Sequence, residues 1–106
     1  MSKIPRNISG IELAKLLEKY DYKIQREKGS HLRLTSNYMS YSHKITIPNH
    51  KFLKIGTLNN ILNNISEYLK VTKEELINEL FNNWFFVFIY VVMKAKYNKI
   101  EKIFTN

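Results

Sequence analysis

The run Lys28-Gly29-Ser30-His31-Leu32-Arg33-Leu34-Thr35 holds the residues best suited to chemistry. From His31 onward it alternates, with Leu32 and Leu34 on one side and His31, Arg33 and Thr35 on the other. That is the period of a strand with one face on a core. Gly29 can supply the tight turn before it. A histidine that opens a strand, with Lys28 and Arg33 nearby, suits work on a phosphodiester. Its ordinary pKa lies near neutrality, so the ring can take or give a proton. The cations steady negative charge at phosphorus. The ordinary alternative is a surface histidine at a strand start.

The other two histidines read differently. His43 shares the phase of Ile45 and Ile47 and is expected to be structural. His50 either contacts phosphate or caps the connection it lies in. The three lack metal-ligand spacing and no acidic cluster accompanies them, so neither a metal site nor a cofactor is expected.

A chain of 106 residues, 44% hydrophobic and 25% charged, has the composition of an ordinary globular domain. It has no cysteine, which excludes a disulfide framework and thiolate metal sites. The first residues, Met-Ser-Lys-Ile-Pro-Arg, lack the apolar run of a signal peptide, so a cytoplasmic location is expected. The net charge of +8 favours polyanionic partners. Ile, Lys and Asn together exceed a third of the chain, however, and an AT-rich genome would inflate lysine without functional demand. Placement of the charges therefore matters more than their sum.

The elements that must position the histidine follow from pattern. Ser9-Gly10-Ile11-Glu12 has the form of a capping box, and the apolar residues after it predict a helix over 10–20. Tyr22–Glu27 and His31–Thr35 alternate as strands. Ser36–Ser42 is a polar loop, whose Tyr38 and Tyr41 either stack on splayed bases or pack across the loop. His43–Pro48 alternates again and stops at Pro48. Leu58, Ile61, Leu62, Ile65 and Leu69 mark a second, amphipathic helix. Thr72-Lys-Glu-Glu75 caps a third, running through Leu76, Ile77, Leu80 and Phe81. The order is α+β: helix, three-stranded antiparallel meander, two helices. One sheet face takes the helices. The other is expected to present Lys23, Gln25, His31, Arg33, Lys44 and Thr46, with Glu27 at its edge. Lys23, Arg26, Lys44, Lys51 and Lys54 are candidate phosphate contacts, of the kind that position a nucleic acid without reading sequence.

With these residues in view, the chain resembles a known family. Ile4-Pro5-Arg6 with Ser9-Gly10, Gly29-Ser30-His31, Ile47-Pro48-Asn49-His50, and Gly56-Thr57-Leu58 with Ile61-Leu62, in this order and spacing, are similar to the HicA toxins, small mRNA interferases of toxin–antitoxin modules. The resemblance covers residues 3 to about 81. It implies a fold like the double-stranded-RNA-binding domain, endoribonuclease activity with His31 catalytic and no metal, and neutralisation by a HicB antitoxin. In that role Lys28 and Arg33 would hold the scissile phosphate and Ser30 would add a hydroxyl or backbone N–H. A non-catalytic RNA-binding module using the same basic face is the alternative.

The chain thus divides into a HicA-like domain over 1–81 and an extension over 82–106. The extension opens with the unbroken apolar run Trp84–Met93, too short to span a membrane, and ends in a basic tail. A buried helix or an added strand are the plain readings. A surface for self-association or antitoxin docking is the sharper one, and a membrane-associated basic peptide the most distant.

Overall fold

The computed structural model describes residues 4–82. The expectations for Trp84–Met93 and the basic tail lie outside them. Within them the order is α1 (Gly10–Leu16), a 3₁₀ turn (Leu17–Tyr20), β1 (Lys23–Lys28), β2 (His31–Ser36), β3 (His43–Pro48), α2 (Ile55–Leu69) and α3 (Lys73–Ile77), the last running into a π-helical turn over Asn78–Asn82. The three strands form one antiparallel sheet in the order β1-β2-β3. This is the α+β architecture expected from the sequence.

The helix starts follow from their caps. Ser9 Oγ accepts from the Glu12 N–H at 3.0 Å, and at Thr72 both halves of the capping box form. The first helix ends earlier than its pattern suggests. Its last turn tightens to 3₁₀, Asp21 takes φ 64°, and the chain swings into β1. By contrast α2 starts at Lys54 with no side-chain cap. A missing cap costs about 1 kcal/mol. Burying one aliphatic side chain stabilises by roughly 1.5–3 kcal/mol, and α2 buries Leu58, Ile61, Leu62 and Ile65, so packing decides.

The core lies between the helices and one sheet face. Leu32 and Leu34 of β2 and Ile45 and Ile47 of β3 meet Leu13, Ala14 and Leu17 from the first helical segment, the α2 residues, and Leu76, Ile77 and Leu80. A Lys19–Glu79 ion pair at 2.6 Å ties the 3₁₀ turn to the π turn. Ser36 is buried at the end of β2, its hydroxyl donating to the Tyr20 carbonyl at 2.6 Å and accepting the Tyr38 N–H.

Strand β1 departs from simple alternation. Lys23 pairs with Thr35 and Ile24 with Leu34, but Arg26, not Gln25, faces Arg33, and Glu27 and Lys28 then face Leu32 and His31. Gln25 is the extra residue of a β-bulge. Arg26 and Lys28 therefore join the open face, and Glu27 goes to the helix side rather than the open face's edge. All six β1 residues are exposed, Ile24 by 48%. On the helix side Glu27 accepts from Asn49 Nδ2 at 2.8 Å.

One end of the sheet is tightly sewn. Gly10 N–H donates to the His50 carbonyl (3.0 Å), Leu53 N–H to Ile8 (2.8 Å), and Asn49 N–H to Ser30 (2.6 Å). At Gly10 a Cβ would overlap the carbonyl oxygen of Pro48, so only glycine lets α1 start this close to the end of β3. Gly10→Ala is expected to destabilise the fold by about 1–3 kcal/mol, read as a lower urea midpoint at unchanged slope.

Candidate functional site

The two-residue loop Gly29-Ser30 joins β1 to β2 and sets Lys28 opposite His31. Gly29 has φ 58° and Ser30 has negative φ, the φ signature of a type II′ hairpin turn. On its other side His31 faces Pro48 of β3. The first residue of β2 thus stands in a short row, with Lys28 to one side and the end of β3 to the other. Ser30 sits in the turn itself, its carbonyl held by Asn49. His31 is exposed, and among the described residues its ring has no hydrogen-bond partner.

Next along the strands come Arg26, Arg33 and Thr46, then Lys23, Thr35 and Lys44. The open face therefore brings together Lys23, Arg26, Lys28, His31, Arg33 and Lys44, all exposed. Asp21, just before β1, lies 3.6 Å from Lys23, but no carboxylate lies within the rows. Arg26 and Lys28 join this face only because of the bulge. The signal was in the sequence: a two-residue turn at Gly29-Ser30 fixes Lys28 opposite His31, and counting back puts Arg26 opposite Arg33.

Three of the expected contacts are not on that face. His50, Lys51 and Lys54 lie in the connection that leaves β3 beyond the His31 row. The His50 carbonyl receives Gly10 while its side chain is exposed. Lys51 Nζ stands 5.8 Å from the Phe52 ring centre. Lys54 is the N-cap residue of α2.

His43 faces the helix side, as its phase with Ile45 implies. Its Nδ1 lies 2.7 Å from the Tyr22 hydroxyl, and its ring stacks on Tyr68 at 4.6 Å. Burial lowers its pKa. Burial also pushes the Tyr22 phenol up, with the Tyr68 phenol adding to it. The Tyr68 hydroxyl accepts the Met39 N–H at 2.9 Å and donates to the Tyr41 carbonyl at 2.6 Å. Tyr41 packs edge-on to Tyr68 and Tyr38 edge-on to Tyr20. Both loop tyrosines are thus engaged by rings of the fold.

Among the described residues no group of three or more His, Asp or Glu is placed to hold a metal, and no helix is long and apolar enough to cross a membrane.

Fold and face together define a small α+β domain with its helices on one side of an antiparallel sheet and an open, cationic surface on the other. The comparisons make this specific. The family described as the HicA toxin of bacterial toxin–antitoxin systems matches residues 10–66, more than half of the chain, and the chain belongs to that family. It is therefore a toxin-family protein of a toxin–antitoxin system, and the family suggests an antitoxin partner. No curated protein and no solved structure matches the chain.

The half-buried histidine, His43, carries a pH prediction. A lowered pKa means that folded His43 binds its proton less readily than the unfolded chain does. The stability it supports is full above the ordinary histidine pKa of about 6.5 and is lost as pH falls toward the lowered value. The urea midpoint should fall between pH 7.5 and 5.5, and should fall less in His43→Gln; equal slopes in the two proteins would refute this.

Proposed function

We propose that this chain is a metal-independent endoribonuclease that cleaves mRNA, and that its activity belongs to residues 1–81. The observation that carries the reading is the row Lys28–His31–Pro48 at the end of an acid-free cationic face. Membership of a toxin family supports it.

The chemistry needs few parts. The ribose 2′-oxygen attacks phosphorus, forming a P–O2′ bond as P–O5′ breaks, and leaves a 2′,3′-cyclic phosphate and a 5′-hydroxyl. The 2′-hydroxyl gives up a proton and the 5′-oxygen gains one. His31 is the group that takes the first or delivers the second. Lys28 and Arg33 hold the phosphate and offset the charge that grows on its oxygens. Ser30 adds a hydroxyl or backbone N–H at the turn. Lys23, Arg26 and Lys44 on the face, and His50, Lys51 and Lys54 beyond it, contact neighbouring phosphates. A HicB-type antitoxin is the expected partner and the cytoplasm the expected compartment.

A non-catalytic RNA-binding module is favoured by one observation: among the described residues no neighbouring group orients the His31 ring. Purified protein incubated with a long unstructured RNA in EDTA separates the readings. An enzyme cuts excess RNA, and His31→Ala or His31→Gln lowers the rate by about 10²–10⁴-fold. Wild-type rates in both variants would remove His31 from the mechanism. Binding without turnover would leave the binding module.

Binding itself should fall steeply with salt, because each phosphate neutralised by Lys or Arg releases counterions. A flat salt response would argue that the face is merely solvated.

A further inference from the structure

The strand register rules the open face into three rows. Lys28, His31 and Pro48 make the first, Arg26, Arg33 and Thr46 the second, and Lys23, Thr35 and Lys44 the third. Successive rows are two residues apart along β2, about 6.6 Å at the usual strand rise. The second row is the most telling. Two arginines stand directly opposite each other, an arrangement that costs stability in an antiparallel pair. Neither makes an ion pair among the described residues, whereas Lys23 has Asp21 at 3.6 Å. The extra residue at Gln25 puts them there. Two arginines paired in register, with no carboxylate in the rows, suit a phosphate, since guanidinium is the side chain that binds phosphate in a bidentate way.

We propose that the open face binds one RNA strand laid lengthwise along β2, with three consecutive phosphates on the three rows. The scissile phosphate sits at Lys28 and His31. The next is clamped between Arg26 and Arg33, and Arg33 bridges it to the scissile phosphate. The third meets Lys44, Lys23 and the Thr35 hydroxyl. This deepens the ribonuclease reading and rests on it. The row spacing is comparable to the phosphate repeat of an extended strand, whereas a duplex carries each strand's phosphates along a helical path that leaves a line of three rows. The rows contain no Phe, Tyr or Trp on which a base could stack, so recognition runs through the backbone and tolerates sequence. Because His31 opens β2 and the chain leaves the sheet after Pro48, the rows continue on one side of the cut only.

Chimeric oligodeoxynucleotides with a single ribonucleotide, hence one cleavable linkage, test this with the full-length protein. The strands are lengthened one nucleotide at a time on the 5′ or the 3′ side. kcat/KM should rise about tenfold for the first added phosphate and severalfold for the second on the side that the rows follow, less on the other, where His50, Lys51 and Lys54 lie off the sheet face, and then level off. Arg26→Gln should shrink the first step below about threefold with a urea midpoint no lower than that of the wild type, and Lys44→Gln should shrink the second step in the same way. Equal gains on both sides, or steps that survive both substitutions, overturn the proposal. If no chimera is cleaved, the ribonuclease reading fails, and the rows are judged by fluorescence anisotropy on all-deoxy strands. Affinity that climbs to three phosphates and loses one step in Arg26→Gln supports them. Affinity independent of length, or a duplex bound as tightly as a single strand, overturns them.

Discussion

The contact on which the site depends is the approach of α1 to the end of β3. With Gly10 against the Pro48 carbonyl, the lead-in segment, the hairpin turn and the β3–α2 connection are hydrogen-bonded into one knot at a single end of the sheet. His31 opens its strand beside that knot. The histidine itself gets no direct support, but the backbone on both sides of it is fixed, by the type II′ turn before it and by β3 across from it. The proposed phosphate site gains from this arrangement, because rigid elements rather than a loop set its position.

Much of this was legible in the sequence, and the reason is parity. Side chains alternate along a strand, so the buried Leu32 and Leu34 put His31 and Arg33 outside, and Ile45 and Ile47 put Lys44 and Thr46 outside. The same logic exposes what simple alternation misses. Tyr22 and Ile24 must face inward, yet the turn forces Lys28 to pair with His31 on the outside. All three numbers are even, so one extra residue has to be taken up between them. That residue is Gln25, and it carries Arg26 and Lys28 onto the face while sending Glu27 off it. A pattern read strand by strand cannot see this; a count that starts from the turn can.

What was not legible depends on contacts distant in sequence. Tyr22, His43 and Tyr68 come from the residue before β1, from β3 and from the end of α2, and only the packed sheet brings their rings together. The same tyrosine at 68 fastens the loop between β2 and β3, a partner that no local pattern announces. The lysines at 51 and 54 looked equivalent to those on the strands because composition does not distinguish a sheet face from a connection. Strand register does.

The bulge and the alternation together leave the described residues electrically two-sided. The sheet's outer rows hold Lys23, Arg26, Lys28, Arg33 and Lys44 without a carboxylate among them, while the helical segments 10–20 and 55–82 carry six glutamates against four lysines. Charge separated across one sheet makes a dipole, and a dipole feels a torque in the field of a polyanion. On the proposed reading, a tumbling molecule near an RNA strand would be turned cationic side first before any contact forms, so that more of its collisions would begin with His31 facing the phosphates.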